Sequence, residues 1–164
     1  MSSLARTNIL GVGVSALNMP LAVEIIAGWI ERGERHYVCV TNVHVIMECA
    51  RDPELRAQVN RAGLVTPDGM PLVWLSRRAG HTHVGRVYGP DLMLALCERS
   101  AQEGYRQFFY GGSPGVAEQL AQQMAARIIR RVVGGAETIA KAVDRNAGWG
   151  HRQALLANVR RMAR

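Results

Sequence analysis

Asp68 stands between Pro67 and Gly69, directly after the apolar run Leu64-Val65-Thr66. The proline restricts how the chain arrives and the glycine lets it turn sharply. A carboxylate placed there, at the end of a strand with backbone amides nearby, has the presentation that a general base requires. Pro-Asp-Gly is also an ordinary turn, and Asp an ordinary helix N-cap; spacing alone does not separate the two. Arg86 precedes Val87-Tyr88-Gly89-Pro90-Asp91, and a guanidinium in such a loop could neutralise a diphosphate. Asp91 reads as the N-cap of the helix that follows. Gly111-Gly112-Ser113-Pro114-Gly115 could cradle phosphate on free N–H groups or be a plain turn, and it matches neither GxGxxG nor a Walker motif. His44, His81 and His83 have no further ligands at metal spacing, so a solvated loop is expected and no metal. The chain has no Asp-x-Asp, so a leaving nucleotide would be stabilised by arginine and backbone amides.

These residues need elements to hold them. Ile9–Ser15 reads as a short buried strand. Asn18 and Pro20 open a helix with Leu21, Ile25, Ile26, Trp29 and Ile30 at helical spacing, ended by Gly33. His36–Thr41 reads as the next strand, Val43–Ala50 as a helix, and Asp52 as the N-cap of a segment reaching Asn60. Leu64–Thr66 is a brief strand, Pro71–Arg78 a helix, residues 80–85 a polar loop, and Asp91–Glu103 an amphipathic helix closed by Gly104. Tyr105–Tyr110 reads as a strand and Val116–Arg127 as a helix begun by Ser113 and Pro114. Alternating strands and helices imply an α/β fold with a mainly parallel sheet flanked by helices. Ligands bind such sheets at the carboxyl ends of strands, so Thr41-Asn42, Asp68-Gly69 and Gly111-Gly112-Ser113 are expected along one edge.

At 164 residues, 48% apolar and 20% charged, the chain has ordinary globular composition. No apolar run approaches a bilayer span, and the first residues lack a signal-peptide pattern. Three cysteines in no CxxC arrangement point to reduced thiols and a cytoplasmic protein. The net charge of +7 is carried by residues 127–164; the preceding residues balance. In that tail His151–Ala163 places Leu155, Leu156, Val159 and Met162 on one helical face with Arg152, Arg160 and Arg161 elsewhere. Such a segment suits peripheral contact with anionic lipid at the inner face of the membrane, or is simply solvated. With a single aromatic, Trp149, and no recognised motif, nucleic-acid binding is not expected.

From Thr41 to about Arg127 the chain resembles the WecG/TagA/CpsF family of bacterial glycosyltransferases. The matching pieces are Val40-Thr41-Asn42, Arg51 to Arg56 (RDPELR), Asn60 to Pro71 (NRAGLVTPDGMP), Trp74, Arg86 to Leu92 (RVYGPDL) and Phe109 to Glu118 (FYGGSPGVAE). With Ile9–Trp29 included, the likeness covers about three quarters of the chain. The resemblance implies a Rossmann-like fold and transfer of a sugar, N-acetylmannosamine being the best-known, from a UDP-sugar to a polyprenyl-phosphate-linked acceptor in cell-surface or exopolysaccharide synthesis. It implies an inverting, metal-independent reaction with Asp68 as catalytic base, Thr41 and Asn42 beside the donor, and Arg86 near its phosphates. Thr41 and Asn42 are adjacent here, whereas the family often separates them by one residue. The candidate binding set is Thr41, Asn42, Gly69, Arg86, Gly89, Asp91, Gly111 and Gly112, and self-association is a further family trait.

Family members continue past the Gly-Gly turn through further strand–helix units, one with a Gly-x-Pro-x-Gln-Glu stretch, and a basic appendage. After Arg127 only Val132-Val133-Gly134 suggests a next strand. The expectation is therefore an N-terminal glycosyltransferase portion, 1–127, lacking the usual C-terminal units, and a basic tail, 128–164. The alternative function is an inactive nucleotide- or partner-binding remnant.

Overall fold

The computed structural model describes residues 4–131, which form four strands and six helices in two compact units, the first ending at Arg99 and the second beginning at Ser100. In the first unit β1 (Arg6–Ile9) and β2 (Val12–Ser15) form an antiparallel hairpin, with Ile9 opposite Val12. The single strand expected over Ile9–Ser15 is thus corrected. Leu10 and Gly11 both take positive φ, 50° and 85°, the left-handed geometry of a tight hairpin turn. Asn8 Oδ1 accepts the Gly11 N–H at 2.9 Å and steadies it.

After α1 (Met19–Glu31), β3 (Val38–Thr41) pairs in parallel with β4 (Leu64–Pro67), and the crossover holds α2 (Val43–Arg51) and α3 (Pro53–Arg61). Side-chain caps start these helices, at Asn18 and Asp52 where the sequence suggests and at Asn42 where it does not. Asn18 accepts the Leu21 N–H, Asn42 the Val45 N–H, and Asp52 the N–H groups of Glu54 and Leu55. The sheet is not mainly parallel among the described residues: it consists of one parallel pair and one antiparallel hairpin. The two are joined by a side chain, since the buried Ser15 Oγ accepts the Val65 N–H at 3.0 Å where a backbone rung would otherwise run.

Core residues lie on both faces of the parallel pair, as expected of a covered α/β sheet. Val65 packs with Ile46, Cys49, Val59 and Leu72, from α2, α3 and α4 (Met70–Arg78). Leu64 packs with Leu17, Ala22, Val87 and Leu92, which brings in α1 and α5 (Gly89–Glu103). Polar groups then tie the hairpin to the crossover. Asn60 accepts from Gly13 N–H and donates to Gly11 O, while the Arg6 guanidinium donates to the carbonyls of Asn60, Ala62 and Gly63.

Two further expectations fail. Asp91 is not the N-cap of α5 but lies inside its first turn, where a carboxylate still complements the helix dipole. In the second unit Tyr105–Tyr110 forms no strand. Its exposure alternates residue by residue, as in a half-buried strand, but no strand among the described residues pairs with it, and the Tyr105 N–H turns back to Ser100 O. α6 (Val116–Arg131) follows the Gly111–Gly115 turn and outruns its expected end at Arg127. The candidate strand at 132–134 and the amphipathic stretch at 151–163 lie outside the described residues.

All three cysteines are free thiols. Burial, with a smaller contribution from Cys49, pushes the Cys39 thiol up to about 11, and burial also raises Cys49 and Cys97. An unfolded cysteine titrates near 8.5. The neutral-thiol contribution to stability is therefore fully present below about pH 8.5 and is lost as pH rises toward the folded value. Melting temperature should fall between pH 8.5 and 11, and the slope should be shallower in Cys39→Ala. Steric fit makes a second prediction. A Cβ on Gly63 would lie 2.7 Å from Trp29 Cη2 and 3.0 Å from His36 Cβ, where Trp29 and His36 stack with centroids 4.3 Å apart. Gly63→Ala should cost about 1–3 kcal/mol in urea denaturation.

Candidate active site at the strand ends

Asp68 follows β4 directly. Its N–H donates to Thr41 O at 2.8 Å, extending the parallel ladder by one rung. The side chain is only 14% exposed. It does not cap α4: Gly69 is the N-cap residue, and no side chain bonds the first turn. The turn-or-cap reading of this aspartate therefore has no hydrogen bond behind it. Asp68 Oδ1 is buried and accepts no hydrogen bond. Arg86 Nη2 lies 3.5 Å away, an ion-pair contact too long to serve as a hydrogen bond. A buried carboxylate oxygen without a donor is costly, and such orphan groups concentrate where a ligand is handled. Two residues back on β4, Thr66 Oγ1 is also buried and unpartnered.

Arg86 is positioned by its neighbours in the chain. Gly85 N–H donates to Leu17 O at 3.1 Å and Val87 N–H to Pro67 O at 2.9 Å. The segment thus bridges the carboxyl ends of β2 and β4, with the half-exposed Arg86 between the two anchors. The guanidinium carbon sits 4.6 Å from the centroid of the Tyr88 ring, a cation–π contact that restricts its rotamers. Sequence reading did not single out Tyr88; its signal was an aromatic two residues from an arginine in an extended loop, where alternate side chains share a side.

The other sequence candidates divide. Thr41 is fully buried and its hydroxyl donates to Cys39 O at 3.1 Å, so it reaches the site through its backbone carbonyl. Asn42 is adjacent and exposed, but its side-chain oxygen caps α2. Gly69 has φ 179°, extended backbone open to any residue, so the sharp turn expected of it is not what the position demands. A Cβ there would meet nothing closer than Pro71 Cδ at 3.8 Å, which leaves space beside Asp68. Gly89 has a packing role: a Cβ would lie 3.3 Å from Val40 Cγ1, so its small size lets α5 start against β3. Asp91 is exposed in the first turn of α5. Gly111 and Gly112 belong to the second unit and have φ 116° and 83°; a Cβ on Gly112 would come within 2.9 Å of Val116 Cγ1. His83 faces the Ala16 carbonyl at 3.0 Å and lies edge-on to His81. Among the described residues no three His, Cys, Asp or Glu side chains are grouped as metal ligands.

The first unit is thus an α/β layer that presents, at the carboxyl end of its parallel strands where this class of fold handles ligands, a carboxylate paired with an anchored guanidinium and with one oxygen lacking a hydrogen bond. Residues 7–160 match the glycosyl transferase WecG/TagA/CpsF family, and the chain belongs to that family. The matched span passes beyond Arg127, where the motifs read from the sequence stop. Among characterised relatives, the N-acetylglucosaminyldiphosphoundecaprenol N-acetyl-beta-D-mannosaminyltransferase of Bacillus spizizenii is 24% identical over 96 residues. That alignment covers 58% of this chain and 37% of the relative. No helix among the described residues is long and apolar enough to cross a membrane.

The ion-pair geometry yields a stability prediction. Arg86→Ala leaves the Asp68 charge without its cation and should cost about 1 kcal/mol, a modest figure because Arg86 is half exposed. In an Asp68→Asn background the same change should cost close to nothing. A double-mutant cycle in urea with coupling indistinguishable from zero would show that the pair is electrostatically idle.

Proposed function

We propose that the protein is a glycosyltransferase that moves an N-acetylmannosamine-like sugar from a UDP-sugar to a polyprenyl-diphosphate-linked acceptor in cell-surface polysaccharide synthesis. The observation that carries the reading is the buried, hydrogen-bond-free Oδ1 of Asp68 held 3.5 Å from Arg86 at a strand end. Family membership and the lipid-diphosphate acceptor in the relative's name support the substrate class.

In this mechanism Asp68 accepts the proton of the acceptor hydroxyl as its oxygen attacks the anomeric carbon opposite the departing UDP, so the configuration inverts. Arg86 stabilises the charge that develops on the leaving diphosphate, without a metal. The donor's phosphates and the Asp68 carboxylate compete for one guanidinium. Donor binding would therefore draw Arg86 away and leave the carboxylate free to take the proton. Thr41, Asn42 and the open space at Gly69 border the same strand ends and would frame the donor.

Asp68→Asn should lower UDP-sugar turnover by about 100-fold or more while calorimetry shows UDP binding retained. Arg86→Ala should weaken UDP itself. The inactive-remnant alternative expects no turnover by the wild type, and a wild type that neither binds UDP nor turns over a UDP-sugar would end the enzyme reading for this chain.

A further inference from the structure

Helix α4 begins two residues after Asp68, and its exposed side is unusual for a surface helix. Leu72, Val73 and Ser76 are buried against the sheet, yet the opposite side carries Met70 at 40% exposure, Trp74 at 60% and Leu75 at 47%. A surface helix of this length ordinarily turns charged or polar residues outward. Here the only charges are Arg77 and Arg78 in the last turn, both exposed, and the helix contains no acidic residue. Arg77 Nε is fixed on the Val84 carbonyl at 2.8 Å. Met70, Trp74 and Arg78 follow one another at four-residue spacing, so the apolar stripe runs directly into a guanidinium.

We propose that this face of α4 seats the protein on an anionic lipid surface, with Met70, Trp74 and Leu75 entering the headgroup boundary and Arg77 and Arg78 on lipid phosphates. The charge arrangement favours this occupant. A face whose only charges are two arginines complements lipid phosphates as it stands, whereas a protein that covered Trp74 would have to bring a carboxylate to Arg78. A second copy of α4 brings no carboxylate to meet it, only like charges. At a bilayer surface an arginine extends to the phosphates while its stem and the neighbouring apolar side chains remain below, and tryptophan favours that interface. The helix is nine residues long, about 13 Å, so it would lie on the surface and not span it. This face belongs to a different part of the sequence from the basic stretch at 151–163. As a route that brings a lipid-anchored acceptor to Asp68 it rests on the proposed function; as a vesicle-binding surface it does not.

The test is flotation of the full chain with vesicles of phosphatidylcholine alone or mixed with phosphatidylglycerol. Wild type should float with the mixed vesicles and little with the neutral ones. Met70→Gln/Trp74→Gln and Arg78→Glu should each weaken binding about tenfold, with unchanged melting temperatures, while Ile30→Gln, at an exposed apolar position on α1, should bind as wild type. Equal flotation of the α4 variants and wild type, or no flotation of wild type, overturns the proposal. So does a Trp74→Gln protein whose only change is a smaller oligomer in sedimentation velocity. Turnover separates the two readings. The Met70/Trp74 variant should keep turnover on a water-soluble acceptor and lose it on a vesicle-borne one. A wild type with no turnover on either acceptor removes the catalytic reading and leaves flotation to decide the surface.

Discussion

Two backbone hydrogen bonds on either side of Arg86, from Gly85 to Leu17 and from Val87 to Pro67, are what the candidate site depends on. They stitch the loop before α5 across the ends of β2 and β4, so a long side chain starts from a fixed backbone. Without them Asp68 would be a buried carboxylate with no cation placed beside it. The same stitch buries Val87 in the cluster that contains Leu64 and Leu92. Packing on one face of the sheet and electrostatics at its edge are therefore set by one short segment.

Much of the first unit was legible as sequence because local chemistry decided it. Asn18 and Asp52 are side-chain acceptors at helix starts, and each is used as one. The parallel pair and its helical crossover followed from β-rich runs separated by helical periodicity. The hairpin did not, because a leucine in the left-handed region is an uncommon turn residue and Leu10-Gly11 looks apolar. Nor did the side-chain rung from Ser15, which appears in no periodic pattern. Tyr105–Tyr110 has the alternation of a strand, but a strand exists only with a partner, and partners are a property of the fold.

The candidate site was legible in its residues and not in its geometry. Asp68 was recognisable by its position after a strand, and Arg86 by its place in a loop. That the aspartate caps nothing, that one of its oxygens has no donor, and that Tyr88 supports the arginine emerge only from three-dimensional placement. The structure adds packing and backbone facts about Gly89 and Gly69 that spacing does not carry. The first is small because α5 starts close to Val40, whereas the second borders open space and is under no backbone demand.

The order in which the chain leaves the ribosome gives the Leu17–Gly85 bond a further meaning. Asp68 and its strand neighbours emerge before Arg86, so a nascent chain can complete the β3–β4 pair while its carboxylate still faces water. Only when residues 85–87 arrive and find both the Leu17 and Pro67 carbonyls does that edge close. The charged edge thus cannot close before residues 85–87 are in place, and the same residues complete the hydrophobic cluster around Leu64.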